Sequence, residues 1–317
     1  MAILTANVPE HLAGMRLDQA LACLFAEYSR SQLQTWVKAA RVRVDGQTCR
    51  AKDRVLGGEY IELDAETSVV VTDCAPQAIP LSIVQEDEDL LIVDKPAGFV
   101  VHPGAGNREG TLQNALLHHC PALAQVPRAG IVHRLDKDTT GLLVIAKNLP
   151  AHAALVEQLE RRAIGRSYFA LVQGYVTAGG TIDAPLARHP TDRTRYQVRD
   201  GGRAAITHYR IHERFAHYTL LRVQLETGRT HQIRVHLAHL RHPLVGDPVY
   251  GGRLRLPPAC PERLAAALRQ FKRQALHAAQ LELIHPRLGT RCRWQAPLPV
   301  DLQTLLDMLR DDDPYDA

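Results

Sequence analysis

Residues 131–148 read IVHRLDKDTTGLLVIAKN. Two carboxylates, Asp136 and Asp138, stand in a polar run with apolar residues on both sides. A solvated turn accounts for this pattern, and so does a nucleophilic or metal-binding carboxylate. The GLLVIAKN segment that follows is short and mainly apolar, and it reads as a buried strand. A phosphatase-type D-x-D-x-T would make Asp136 a phosphoryl acceptor beside Mg²⁺. That scheme needs an apolar strand running directly into the first Asp, and here His133, Arg134 and Leu135 intervene. It also needs a downstream acidic pair, where VGDPVYGG offers only Asp247. A calcium loop fails because Leu142 and Leu143 stand where oxygen ligands belong. The third reading is a lone carboxylate that works without metal.

Outward from this stretch the pattern is mostly strands. LSIVQEDEDLLIVDKPAG (81–98) reads as two strands around an acidic turn, ended by Pro96 and Gly98. GTLQNALLHHC (110–120) and AHAALVEQLERRA (151–163) read as helices. SYFALVQGYV (167–176) alternates as a strand with Tyr168, Ala170 and Val172 on one face, and AITHYRIHERFAHYTLLRVQLETG (205–228) holds more strands. RTHQIRVHLAHL (229–240) is predicted to become a helix capped by Thr230, with Ile233, Leu237 and Leu240 buried. There is no βαβ alternation and no internal repeat. GAGNREG (104–110) is not a dinucleotide loop, since it follows His-Pro rather than a strand.

At the N-terminus, MRLDQALACLFAE (15–27) places Leu17, Ala20, Leu21, Leu24 and Phe25 at helical spacing. Ser29, with Gln32 at the capping-box position, opens a second helix with an apolar face of Leu33, Trp36, Val37 and Ala40. RVRVDGQTCR is a strand broken by Asp-Gly, a hairpin signal, and GEYIELD returns as a strand. Residues 64–80 read as a linker. The chain of 317 residues is therefore expected to be α+β, with a small N-terminal α+β domain over 1–75 including its linker. A larger domain over 76–317 is expected to be a mixed, mainly antiparallel sheet decorated by helices.

Net charge is only +4, but its sign is segregated. Residues 30–54 carry seven Lys or Arg against two acids, and residues 188–255 carry thirteen Arg, no Lys and five acids. Two separate basic stretches, one purely Arg, point to phosphate, which the planar guanidinium engages bidentately. The N-terminus lacks a basic start followed by an apolar core, no apolar run nears the ~20 residues of a membrane span, and no C-x-x-C pair occurs. A reducing, cytoplasmic setting without membrane attachment is expected.

The motif HRLDKDTTGLLV (133–144) resembles the hallmark of the RluA family of RNA pseudouridine synthases. VDKPAGFVVHPG (93–104), RSYFALVQG (166–174) and LETGRTHQIRVHLAHLRHPLVGDPVYGG (225–252) extend the likeness. RLDQALACLFAEYSRSQLQTWVKAARVRVDG (16–46) is similar to an S4 RNA-binding domain. The resemblance covers nearly the whole chain and implies a pseudouridine synthase fold. It also implies an isomerase that needs no cofactor and no metal, with Asp136 as the catalytic carboxylate. Asp136 could attack C1′, attack the ring, or act as a base at the 2′ position. The carboxylate must stay ionised in a water-excluding pocket, so a cation must oppose the effect of burial. By its match to the family motif, Arg234 is that partner. Tyr168 matches the tyrosine that stacks on the target base, and Arg134 matches the residue that fills the space left by a flipped base.

Arg30, Lys38, Arg41, Arg43 and Arg229 are expected to contact phosphates. His133 is expected to be structural, Asp138 and Thr139 to form the turn, and Lys95 and Pro96 to buttress the pocket wall. One mild departure is Asp94, where family members often carry Asn. Domain order and the AGIVHRLDKDTTG details imply 23S ribosomal RNA or a large-subunit precursor as partner, with the helix 69 loop as target and a monomeric enzyme. The reading from a different class is a non-catalytic RNA-binding ribosome-assembly factor.

Overall fold

The computed structural model describes residues 2–25, 28, 30–65, 74–104, 106–254, 256–258 and 260–312. The chain divides into two compact units, Met1–Val71 and Thr72–Ala317.

In the first unit, β1 (Ala2–Asn7), β2 (Val42–Val44), β3 (Gln47–Thr48) and β4 (Tyr60–Ala65) form an antiparallel sheet in the order β1-β4-β2-β3. Helices α1 (Leu17–Leu24) and α2 (Arg30–Lys38) supply Leu17, Ala20, Leu21, Leu33, Trp36 and Val37 to its core, where they meet Ile61 and Leu63. Asp45 and Gly46 both have positive φ (49° and 77°), the requirement of the tight turn that matches strand twist. Ala40 was expected on the apolar face of α2. It lies past the helix end, exposed and with φ 58°, so the stripe stops at Val37. The expected cap rests on Ser29 and the Gln32 side chain, which lie outside the described residues. Strand β1 escaped the sequence reading because AILTAN does not alternate apolar and polar residues, and pairing with β4 is what holds it.

The second unit is built on a nine-stranded sheet. Its strands are β5 (Ile83–Glu86), β6 (Leu90–Lys95), β7 (Thr140–Ala146), β8 (Gly165–Gln173), β9 (Gly180–Asp183), β12 (Ile206–Arg214), β13 (Tyr218–Leu225), β14 (Leu276–Ile284) and β15 (Arg291–Gln295), while β10 (Leu186–Arg188) and β11 (Tyr196–Val198) pair separately. The order is β5-β6-β7-β14-β8-β13-β12-β9, with β15 also on β14, and only β7 and β14 run parallel. The sheet is thus mixed and mainly antiparallel. Helices α3 (Leu112–His119), α4 (Leu149–Glu160), α5 (Gln232–His239), α6 (Glu262–Gln270) and α7 (Val300–Asp311) decorate it.

Strand β7 is buried at every position, as its unbroken apolar run requires. Strand β8 alternates: Tyr168, Ala170 and Val172 enter the core that holds Ile233 and Leu237 of α5, whereas Leu171 enters a second core with Leu305 and Leu306 of α7.

Two expectations are corrected. Residues 74–80 are not linker. The Cys74 side chain is in the core, Asn114 Nδ2 donates to the Ala75 carbonyl (2.7 Å), and the Gln77 amide donates to the Asn114 carbonyl (3.0 Å). Residues 66–73 lie outside the described residues. Thr230 does not cap α5 either. His231 occupies that position with φ 56° and no side-chain cap, and buried Gln232 folds the preceding turn by accepting from the Thr227 hydroxyl (2.8 Å) and the Arg229 amide (3.0 Å).

Candidate active site

Asp136 lies on the loop that enters β7. The loop is fixed from three sides. Gly141, at φ +109°, lets β7 approach β14 so closely that a Cβ there would collide with the Ala278 backbone. The Thr139 amide donates to the Asp136 carbonyl (3.1 Å), and Gln274 Nε2 donates to the Thr139 hydroxyl (3.0 Å). Lys95 is 1% exposed and sends its ammonium to the carbonyls of Pro96 (2.8 Å), Phe99 (2.9 Å) and Lys137 (2.8 Å). Three carbonyls match the three donors of a charged lysine. Burial pushes its pKa down to about 7, against the pull of Asp138 and Asp136. The expected buttress is therefore a buried cation that ties the β6 end to the Asp136 loop. The Asp138 backbone carbonyl faces Arg273 Nη1 (3.4 Å), and the turn itself closes through the backbone.

Arg234, on α5, reaches Asp136 Oδ2 through Nη1 at 3.0 Å. Its planar fork, however, is given to another carboxylate: Nε donates to Asp247 Oδ2 (2.7 Å) and Nη2 to Asp247 Oδ1 (2.9 Å). Asp247 also accepts from the amides of Val249 (2.8 Å) and Tyr250 (3.0 Å), and its side chain is fully buried. The expected ion pair is thus one bond of a three-bond bridge. Burial disfavours the Arg234 charge, but Asp247 and then Asp136 outweigh it and hold the pKa above the ordinary arginine value. Conversely, burial works against ionising Asp247, and Arg234 with the two amides holds its pKa below the usual carboxylate range.

Tyr250 extends the network. Its ring lies 5.1 Å from the Arg234 guanidinium, and its oxygen accepts from the Tyr196 amide (2.8 Å) and meets His231 Nδ1 (2.9 Å). His231 Nε2 is 3.9 Å from Asp136 Oδ1, and burial lowers the His231 pKa. The sequence reading missed Asp247 as the arginine's partner, and His231 and Tyr250 with it. The available signal was GDPVYG, an Asp-Pro turn in a motif already singled out.

Asp136, Tyr168, Arg234, Arg134 and Arg229 line one cleft of about 920 Å³. Tyr168 is 5% exposed, and burial raises its pKa, which keeps the phenol protonated. Arg134 is exposed at the cleft, while Arg229 is half-buried and donates to the Ala204 carbonyl (3.1 Å). His133 Nε2 accepts from the Val144 amide (3.1 Å), and burial pushes its pKa down to about 3. That ring is neutral and structural, although its buried Nδ1 has no partner among the described residues. Lys38 and Arg43 are exposed and Arg41 half-buried in the first unit, and the Arg30 side chain lies outside the described residues.

Asp136 and Asp138 belong to no metal-holding group among the described residues. Asp87, Asp89 and His285 do cluster, but His285 is paired with Asp87 (3.1 Å) and Arg287 with Asp89 (2.8 Å). The polar run of the opening motif is therefore a turn that carries a carboxylate bonded to a buried arginine.

Known proteins decide what this constellation belongs to. Residues 89–239 match the family model described as RNA pseudouridylate synthase, and residues 15–61 match the S4 domain. The chain is 56% identical over 310 residues to ribosomal large subunit pseudouridine synthase D of Escherichia coli (strain K12), covering 98% of this chain and 95% of that one. The chain belongs to the RNA pseudouridylate synthase family. It is also 56% identical over 307 residues to the protein of the same name from Pseudomonas aeruginosa, covering 97% of this chain and 96% of that one. The solved structure of human RNA pseudouridylate synthase domain containing 4 aligns with a TM-score of 0.57 at 25% identity over 72% of this chain and 93% of that one. This pseudouridylate synthase thus has the enzyme fold that its sequence resemblance implied, with an S4 domain at the N-terminus.

Proposed function

We propose that this enzyme converts specific uridines of 23S ribosomal RNA, or of a large-subunit precursor, to pseudouridine, with Asp136 as the catalytic carboxylate. The observation that carries the reading is the position of Asp136. It is a carboxylate 17% exposed, bonded to a buried Arg234 and sharing a cleft with Tyr168. The large-subunit substrate follows from the names of relatives 56% identical over nearly the full length. The helix 69 loop as target, the cytoplasm as location and a monomer as working form belong to the same reading.

The reaction breaks the uracil N1–C1′ bond and forms a C5–C1′ bond. The C5 proton is lost to solvent and N1, freed from C1′, gains a proton, so no electron or group is supplied from outside. The target base leaves its stack to reach the cleft. Arg134, exposed at the cleft with a planar head, fills the vacated space. Tyr168 stacks on the base, and its protonated hydroxyl lies near the C5 proton transfer. Arg234 bonds Asp136 Oδ2 at 3.0 Å and fixes the orientation of the carboxylate. Arg229 grips phosphate beside the cleft, and Arg30, Lys38, Arg41 and Arg43 do so from the S4-like first unit.

Tritium release from RNA labelled at uridine C5, in the presence of EDTA, tests the chemistry. Release is expected. RNA binding without release would support an assembly factor instead. Mapping pseudouridines in cellular ribosomal RNA with and without the protein tests the target.

A further inference from the structure

The sheet of the second unit carries another cleft, of about 620 Å³, on the face opposite Tyr168. Strands β15, β14, β8, β13, β12 and β9 cross it in that order, and Ser167, which alternates with Tyr168 along β8, lines it. Its charges are mainly basic. Glu226 and Glu282 are its acids, and both are engaged: Glu226 by Arg162 (2.5 Å) and His208 (2.7 Å), Glu282 by Arg293 (2.9 Å) and Arg291 (3.2 Å).

Arg210 and Arg222 stand directly opposite one another on β12 and β13. Like charges in that register destabilise a strand pair. Arg222 is held by neutral acceptors, the Ser167 hydroxyl (3.1 Å) and Gln280 Oε1 (2.8 Å), so its orientation is fixed while its charge has no acidic partner among the described residues. Arg210 is exposed and has no acidic partner among the described residues. Folding alone gives no reason for this pair, whereas an anion between them does.

The cleft is continuous with the catalytic one. Arg162, Arg166, Leu225 and Glu226 line both, where β8 begins and β13 ends. At this junction Arg166 keeps a buried Nε with no hydrogen-bond partner among the described residues. Six strands at roughly 4.8 Å spacing span about 24 Å. That length suits a polyanionic chain rather than a single phosphate.

We infer that this sheet face binds the phosphate backbone of the substrate RNA beyond the target nucleotide. The strand leaves the catalytic cleft, rounds the ends of β8 and β13 past Arg166, and lies over Arg222 and Arg210. The inference rests on the reading of the chain as an RNA-modifying enzyme.

The test compares the full-length protein with its Arg210→Gln/Arg222→Gln variant on two RNAs: a hairpin substrate trimmed to its stem and loop, and the same hairpin with single-stranded extensions on both sides. On the extended RNA the variant binds more weakly, and its slope of log affinity against log salt is smaller by about 1.4–1.8 for two lost contacts. On the trimmed RNA its affinity is unchanged. Its melting temperature is equal or higher, because a like-charge pair has gone. An unchanged slope on the extended RNA overturns the inference, and so does an equal loss on both RNAs. Wild-type protein that binds both RNAs but isomerises neither refutes the enzymatic reading, while the binding comparison still decides whether this face holds RNA.

Discussion

Asp136 and Arg234 carry different kinds of dependence. Asp136→Asn removes the carboxylate but keeps shape and hydrogen-bonding capacity. Isomerisation should fall by more than tenfold while RNA affinity stays within error, since affinity comes from dispersed Lys and Arg. Activity within tenfold of wild type in a tritium-release assay would remove Asp136 from the chemistry, and Asp138→Asn should lose far less. Arg234 is harder to probe, because it neutralises two carboxylates. Arg234→Leu strands the fully buried Asp247 as well as Asp136, and breaking a buried pair costs about 3–5 kcal/mol. The double variant Arg234→Leu/Asp247→Asn removes the stranded charge and keeps an oxygen for the Val249 and Tyr250 amides. It should regain much of the stability in thermal unfolding but not the activity. In both variants the bond to Asp136 Oδ2 is gone, so single-turnover rates should stay low even where the fold is restored. Wild-type rates in the double variant would show that the 3.0 Å contact has no bearing on the chemistry.

At the scale of elements, the site is a loop held by a buried lysine. Lys95 ends β6, and its ammonium bridges the Pro96–Phe99 turn to Lys137, one residue beyond Asp136. Lys95→Met keeps the length and removes the donor. Each abandoned buried carbonyl costs about 1–3 kcal/mol. The variant should lose about 3 kcal/mol or more in denaturant unfolding, and kcat should fall more than KM as the loop loosens. An unchanged midpoint would show that water replaces the ammonium without loss. What was legible in the sequence follows the same division. Periodicity exposed β7, β8 and the α5 stripe, because these elements are dictated by burial at fixed spacing. It could not expose β1, whose place depends on pairing with β4, nor the α5 cap, where Gln232 acts across a turn. Motif resemblance singled out Asp136, Tyr168 and Arg234, which meet in one cleft. Asp247 was not, because a carboxylate thirteen residues from its arginine has no local period, and the pair exists only once α5 packs beside the GDPVYG turn.

Over the whole molecule, acid should weaken the catalytic unit before it weakens RNA contacts. Burial lowers the His133 pKa to about 3, against roughly 6.5 in an unfolded chain. Above 6.5 the ring is neutral in both states and contributes nothing to pH dependence. Between about 6.5 and 3 the unfolded chain takes up the proton first, so stability falls as pH falls. One such proton steepens the loss by about 1.4 kcal/mol per pH unit, and His133→Gln should flatten it in unfolding curves recorded across that range.

The two units also make a division of labour testable. Each has its own core, one drawn from residues 8–65 and the others from Cys74 onward. A deletion must therefore stop before Cys74, whose side chain belongs to the catalytic core. Removing residues 2–71 takes away the S4 unit with Lys38, Arg41 and Arg43 but leaves Asp136, Tyr168 and Arg234 in one cleft. The remainder should fold and bind RNA more weakly. Its slope of log affinity against log salt should flatten by about two to four units if three or four phosphate contacts are lost. Single-turnover rates at saturating RNA should persist, because the proposed chemistry needs nothing from the deleted unit. Full salt dependence in the folded truncation would show that the S4 unit does not touch RNA. Normal binding without turnover would show that the deleted unit completes the active site.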